Sequence, residues 1–289
     1  MKTALHRLST RLLSLGLLIF GVSGCDSTGS NEIPNEEAVT VRATVSKLVT
    51  PGTKELVYLN NINDTASLTD VRGYAELDQA EMVFDEYGIG PDETTAKSRL
   101  SGISLLQQES ALTHTFSFDA ASPKGARVNL TARVPRFSPL RIQKMAGKIG
   151  IYDVDAPLDI RTWKGWVTVR SASPSVKVNF DEGDLVYLQT SCGTNNLTTL
   201  NLDAGAALLV PARTTVSGST QTGRMNLSVE EGTIKIEGLT IVSGQIVNKG
   251  NGQVFQGVIE RTGGDLNMTM KKGTIVVRSW DAYFANGGK

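Results

Sequence analysis

Residues 164–169 read Lys-Gly-Trp-Val-Thr-Val, and variants of this pattern stand at 146–151 (Ala-Gly-Lys-Ile-Gly-Ile) and 182–187 (Glu-Gly-Asp-Leu-Val-Tyr). In each copy a glycine precedes a short run in which apolar residues recur at every second position, as expected for a strand after a tight turn. Glycines in these copies and at two later positions share a spacing of 18 residues: Gly147, Gly165 and Gly183, then Gly205 and Gly223. A strand-containing repeat of about 20 residues is typical of a β-solenoid.

The rest of the chain favours the same class of structure. Short runs of alternating apolar and polar residues, separated by Gly, Asn, Asp and Ser-Pro, extend from Val39 to Ser279. Only Pro91–Leu106 indicates a short helix. We therefore predict a single-domain all-β fold, a parallel β-helix or β-solenoid. The alternative is an antiparallel β-sandwich or meander in which Lys-Gly and Glu-Gly form hairpin turns.

The N-terminus carries a secretion signal. A basic segment precedes the apolar run Leu12–Phe20, which is too short to span a bilayer, and small residues follow. Val22-Ser23-Gly24-Cys25 resembles the lipobox of bacterial lipoproteins, in which the cysteine is lipidated, for example with palmitate, and becomes the first residue. The resemblance implies a membrane anchor at Cys25. Asp26 resembles the inner-membrane retention signal of enteric lipoproteins and slightly favours the inner over the outer membrane.

These features divide the chain into a signal peptide (1–24), a lipidated cysteine with a polar tether (25–38) and a β-strand-repeat domain (39–289).

The whole chain has 29 basic and 29 acidic residues. This balance argues against a nucleic-acid partner, because nucleic-acid-binding proteins carry a basic excess or a basic stripe.

Several strand-and-turn segments resemble the bacterial putative-adhesin family of β-strand-repeat proteins. They are Val128–Pro135, Leu140–Ile142, Gly147–Ile149, Leu158–Thr162, Gly165–Val169, Gly263–Met268 and Gly273–Ile275. The resemblance covers about residues 126–279 and implies a right-handed parallel β-helix. It implies no particular biochemistry, because the function of the family is largely unassigned.

Cysteine and histidine are too scarce for most site chemistry. Beyond the anchor, Cys192 and His114 are the only residues of their types. They supply neither a disulfide nor the three or four ligands of a zinc site. We interpret His114 as an exposed strand residue. We expect no catalytic residue, no metal and no cofactor.

The turn Trp163-Lys164-Gly165-Trp166 is the candidate ligand-binding site. Two tryptophans and a lysine at one turn could stack on a sugar ring or enter a headgroup region. The alternative is that the tryptophans pack on each other or in an aromatic ladder.

Two other groups of residues have structural interpretations. Acidic residues cluster on neighbouring predicted turns but match no calcium-binding motif, so we interpret them as solvated loops: Asp153, Asp155, Asp159, Asp181, Glu182 and Asp184. Trp280, Tyr283 and Phe284 are expected to cap the last open turn of the stack.

Taken together, the sequence predicts a non-catalytic cell-envelope lipoprotein that presents a β-solenoid surface for adhesion or binding of a protein or glycan partner. Two alternatives are a β-helix enzyme acting on polysaccharide, which needs a cleft lined by carboxylates plus Lys or Arg, and a periplasmic lipid or lipoprotein carrier, which needs a large apolar cavity.

Overall fold

The computed structural model describes residues 38–191, 196–212, 222–260 and 264–288. Within them the protein is all-β, which confirms the predicted class. The strands are β1 (Val39–Val49), β2 (Glu55–Asn60), β3 (Leu68–Tyr74), β4 (Ala80–Gly90), β5 (Ile103–Glu109), β6 (Thr113–Ala120), β7 (Ala126–Pro135), β8 (Leu140–Tyr152), β9 (Leu158–Ser171), β10 (Ser175–Gln189), β11 (Leu197–Val210), β12 (Thr222–Glu237), β13 (Ile241–Ser243), β14 (Ile246–Lys249), β15 (Gly252–Glu260) and β16 (Asp265–Arg278). The two helices are α1 (Glu93–Ser101) and α2 (Trp280–Ala285).

The strands form one mixed sheet of 16 strands. Its centre is a run of long parallel strands in the order β8-β9-β10-β11-β16-β12. The shorter strands β2 and β3 pair in parallel with the first and second parts of β8. Antiparallel pairs flank this region, β1 with β4 and β5 with β6 at one end and β12 with β15 at the other.

Each long parallel strand bends at a glycine. These glycines align in register from strand to strand and have φ between +109° and +145°: Gly147, Gly165, Gly183, Gly205, Gly273 and Gly232. A Cβ atom at Gly183 would lie 1.9 Å from the carbonyl oxygen of Gly165, so the bend requires glycine for both conformation and space. We call the parts of each strand before and after the bend the first and second limbs.

The 18-residue spacing predicts that Gly223 is one of these bend glycines, and this prediction is wrong. Gly223 lies opposite Ile259 in the antiparallel β12–β15 pair, and Gly232 occupies the bend of β12. The equal spacing of Gly205 and Gly223 therefore does not reflect equivalent positions in the sheet.

The core lies between the first and second limbs. In β9, Leu158 and Ile160 of the first limb and Val167 and Val169 of the second limb are all buried, as alternation predicts. In the N-terminal region the facing side chains are aromatic. The ring centroid of Phe84 lies 5.6 Å from that of Phe116 and 4.8 Å from that of Phe118.

The helix predicted within 91–106 is present but shorter. It covers Glu93–Ser101. Asp92 is its N-cap residue, and the Asp92 carboxylate accepts a hydrogen bond from the Thr95 amide. Residues from Ile103 onward form β5 instead. Among the described residues, no helix is long and apolar enough to cross a membrane.

The predicted aromatic cap is wrong in its position. Trp280, Tyr283 and Phe284 contact one another with ring centroids 5.6–5.9 Å apart, but no residue of α2 is buried. The helix follows β16, which lies between β11 and β12 rather than at an end of the stack.

The interpretation of His114 as exposed is also wrong. Its side chain is buried with Phe116 and Phe118, because all three residues share one phase of the alternation in β6.

Candidate functional site

The predicted turn is the bend of β9. Gly165 adopts φ +139° there, and the chain passes from the first limb to the second. Trp163 is half-buried at the end of the first limb, whereas Lys164 and Trp166 are exposed, Trp166 to 46%. The bend therefore places one indole in each limb of β9.

Each side chain of this turn has its own neighbour. The guanidinium carbon of Arg161 lies 5.1 Å from the Trp163 ring centroid, and the Trp166 Nε1 donates to Thr168 Oγ1 at 2.9 Å. The Lys164 Nζ lies 3.2 Å from Glu182 Oε2 on β10. In the described part of the chain, no ring contact joins the two indoles, so they are held separately and their outer surfaces face solvent.

The acidic clusters lie opposite basic side chains. Asp153 and Asp155 each accept a hydrogen bond of 2.5 Å, from Arg170 and Arg136. The remaining close pairs are Asp159 with Arg141 at 3.7 Å, Asp181 with Arg161 at 3.9 Å and Glu182 with Lys164. No group of three or more potential metal ligands occurs among the described residues.

The sequence analysis missed a buried lysine. Lys144 is fully buried in the first limb of β8, and its Nζ donates to the carbonyl oxygens of Ser67 at 3.0 Å and Lys148 at 3.2 Å and to Thr69 Oγ1 at 3.3 Å. Burial lowers the pKa of this amine from its ordinary value to about 7. The alternation Leu140, Ile142, Lys144 was the signal that could have located it.

Lys144 connects two segments of the fold. It ties the first limb of β8 to the segment that joins β2 to β3, where a loop replaces the glycine bend of the later strands. In the neighbouring strand β9 the aligned residue is Thr162, whose buried hydroxyl has no hydrogen-bond partner among the described residues.

Comparison with known proteins gives a distant likeness only. No family model and no curated protein matches the chain. One similar solved structure is a "putative cell adhesion protein" from Clostridium sporogenes ATCC 15579, with a TM-score of 0.46, 10% identity and coverage of 82% of this chain and 99% of that one. Another is a "putative adhesin" from Bacteroides fragilis NCTC 9343, with a TM-score of 0.32, 9% identity and coverage of 81% and 96%. Because both TM-scores are below 0.5, the family resemblance stays a prediction from the sequence.

Several predicted features lie outside the described residues. They include the signal peptide, Cys25, Asp26, most of the tether, Cys192 and Gly263. The lipid anchor therefore rests on the sequence pattern alone.

Proposed function

We propose that the chain is a non-catalytic lipoprotein of the bacterial cell envelope that binds a protein or glycan partner through the outer surface of its sheet. The observation that carries the proposal is the exposed indole of Trp166 together with the half-buried indole of Trp163 at the bend of β9, beside the Lys164 ammonium. Exposed tryptophans present large, rigid faces at low entropic cost, which suits them to stacking on sugars or on apolar side chains.

The support beneath this turn is rigid. Parallel hydrogen bonds run on both sides of the bend to β8 and β10, and the aligned glycines fix the direction of each limb. We propose that the bent strands are successive turns of a parallel β-solenoid. A binding group on such a scaffold is held in place before its partner arrives, which reduces the entropic cost of association.

The proposed attachment to the membrane follows from the N-terminus. Removal of residues 1–24 would leave a lipidated Cys25, and the polar residues 26–38 would serve as the tether to the folded region that begins near Val39. Asp26 favours the inner membrane in this proposal.

Two observations support this assignment over the alternatives. Five of the six acidic residues of these clusters lie within 4 Å of an arginine or lysine nitrogen, which is the arrangement of surface ion pairs: Asp153, Asp155, Asp159, Asp181 and Glu182. The aromatic side chains in the core of the N-terminal region contact one another, as in a filled core, whereas a lipid carrier needs an apolar cavity.

The anchor is tested by the Cys25→Ala variant. We expect the wild-type protein in the membrane fraction and the variant released from it, with an unchanged β-type circular dichroism spectrum. A variant that stays with the membrane would contradict the anchor.

The binding turn is tested with the full chain in detergent micelles on a glycan array and in an envelope pull-down. We expect Trp163→Ala/Trp166→Ala to weaken the strongest interaction by about 2 kcal/mol or more, as for central aromatic residues of interfaces. Trp280→Ala in α2 is the matched control and should bind as the wild type does. Equal binding by both variants would exclude the turn as the binding site.

A further inference from the structure

A second surface feature lies on the outer side of the second limbs, where β3, β8 and β9 run side by side. It is a groove of about 380 Å³ that is open to solvent. Its lining residues are Arg72, Gly73, Tyr74, Tyr152, Asp153 and Arg170.

Tyr152 is fixed at the centre of this groove. Its partners in register are Arg72 on β3 and Arg170 on β9, whose guanidinium carbons lie 5.4 and 5.8 Å from the ring centroid. The ring also lies over Gly150, where a Cβ atom would approach Tyr152 Cε2 to 2.8 Å. A glycine inside a strand is unfavourable, and here it makes room for the ring.

The backbone of the groove is strained at one residue. Asp153 has φ +59°, and it is the one non-glycine residue with positive φ in the described ranges. Its carbonyl oxygen would lie 2.1 Å from a Cβ atom at position 73, so this approach requires Gly73. Backbone strain of this kind is concentrated at binding and active sites.

The polar groups at the groove form two ion pairs, each without net charge: Arg170 with Asp153 in the lining, and Arg72 of the lining with Asp70, which lies beside the groove. Arg170 Nη2 donates to Asp153 Oδ2 at 2.5 Å, and Arg72 donates to both carboxylate oxygens of Asp70 at 3.2 and 3.3 Å. Each guanidinium has five N–H groups and uses only one or two of them in these bonds. An anionic ligand would meet two carboxylates, whereas neighbouring sugar hydroxyls can donate to the carboxylates and accept from the guanidinium groups.

We propose that this groove binds a neutral carbohydrate chain through pairs of adjacent hydroxyl groups. The inference rests on the proposed binding function and adds a site and a ligand class to it. Arg72 and Arg170 are the donors, Asp70 and Asp153 the acceptors, and Tyr152 holds the two guanidinium groups apart.

The test uses the full chain in detergent micelles, titrated with mannotriose, cellotriose and galactotriose as neutral probes and trigalacturonate as an acidic probe. Binding is measured by saturation-transfer NMR and calorimetry. We expect at least one neutral probe to bind the wild type, and R72Q/R170Q to lose at least about tenfold in affinity, because each lost charged hydrogen bond accounts for roughly that factor.

The matched control is R42Q. Arg42 forms a similar group outside the groove, bonded to Asp85 and 5.7 Å from the Tyr87 ring centroid, so its variant should bind normally. Binding of trigalacturonate alone would overturn the ligand class, and neutral binding that survives in R72Q/R170Q would overturn the site. Absence of binding by all four probes would overturn this inference, while the array and pull-down would test the general binding function separately.

Discussion

At the scale of single residues, Lys144 is the costliest feature of the core. Its amine is fully buried and has a pKa of about 7 in the folded protein, against about 10.5 when exposed. At pH values between these two pKa values, Lys144 is protonated in the unfolded chain and deprotonated in the folded chain. The contribution of Lys144 to the free energy of unfolding therefore rises with pH across this window, and its full cost is present below pH 7.

This linkage predicts the behaviour of Lys144→Met. From pH 7 to pH 9 the wild type should gain about 2 kcal/mol of stability that the variant does not gain, because the variant has no amine to titrate. Urea unfolding at both pH values measures the difference. Lys148→Met, at an exposed lysine in the same strand, is the control and should keep the wild-type dependence on pH. A Lys144→Met variant with that same dependence would refute the low pKa.

Sequence periodicity contains more information about such residues than a search for motifs does. The phase of the alternation places both Lys144 and His114 on the buried face, so both positions could be predicted from the sequence. The groove around Tyr152 could not, because it depends on which strands pair and in which register. Arg72 and Tyr152 are far apart in sequence, and nothing local connects them.

At the scale of the strand, the glycine bend is the repeating element. Positive φ alone costs an alanine about 1 kcal/mol. At Gly183 the new Cβ would also lie 1.9 Å from the Gly165 carbonyl oxygen, which belongs to the neighbouring strand and cannot move freely. We therefore expect Gly183→Ala to lower the free energy of unfolding by about 3 kcal/mol or more, as measured by chemical denaturation.

Gly52→Ala measures the cost of a positive φ where no steric contact is added. Gly52 has φ +56°, but no atom lies within 4 Å of its added Cβ, so only the conformational cost of about 1 kcal/mol applies. Equal losses in the two variants would show that contact between neighbouring bends does not determine the need for glycine.

The spacing of these glycines predicts part of the stack correctly. Gly147, Gly165, Gly183 and Gly205 are found in neighbouring bends, as the spacing indicates. Beyond Gly205 the prediction fails, because β12 continues into an antiparallel pair with β15 before the chain returns as β16. A period in the sequence describes consecutive turns and carries no information about a strand inserted out of order.

At the scale of the whole molecule, the last strand, β16, is central because it is inserted between β11 and β12. β16 pairs in parallel with β11 on one side and with β12 on the other. It also buries five large apolar side chains: Leu266, Met268, Met270, Ile275 and Val277. At about 2 kcal/mol each, their burial contributes about 10 kcal/mol, which is comparable with the net stability of a typical domain.

Two truncations test the central role of β16. A chain that ends at Ser279 lacks only α2 and the residues after it; because no residue of α2 is buried, we expect a cooperative thermal transition within a few degrees of the full chain. A chain that ends at Glu260 also lacks β16, which leaves β11 and β12 without their shared neighbour. We expect this chain to lose the cooperative transition of the C-terminal strands in circular dichroism and to show exposed apolar surface by dye binding. An unchanged midpoint of the thermal transition in the chain that ends at Glu260 would mean that β11 and β12 do not depend on β16. The order of the parallel strands would then have to differ from the one described above.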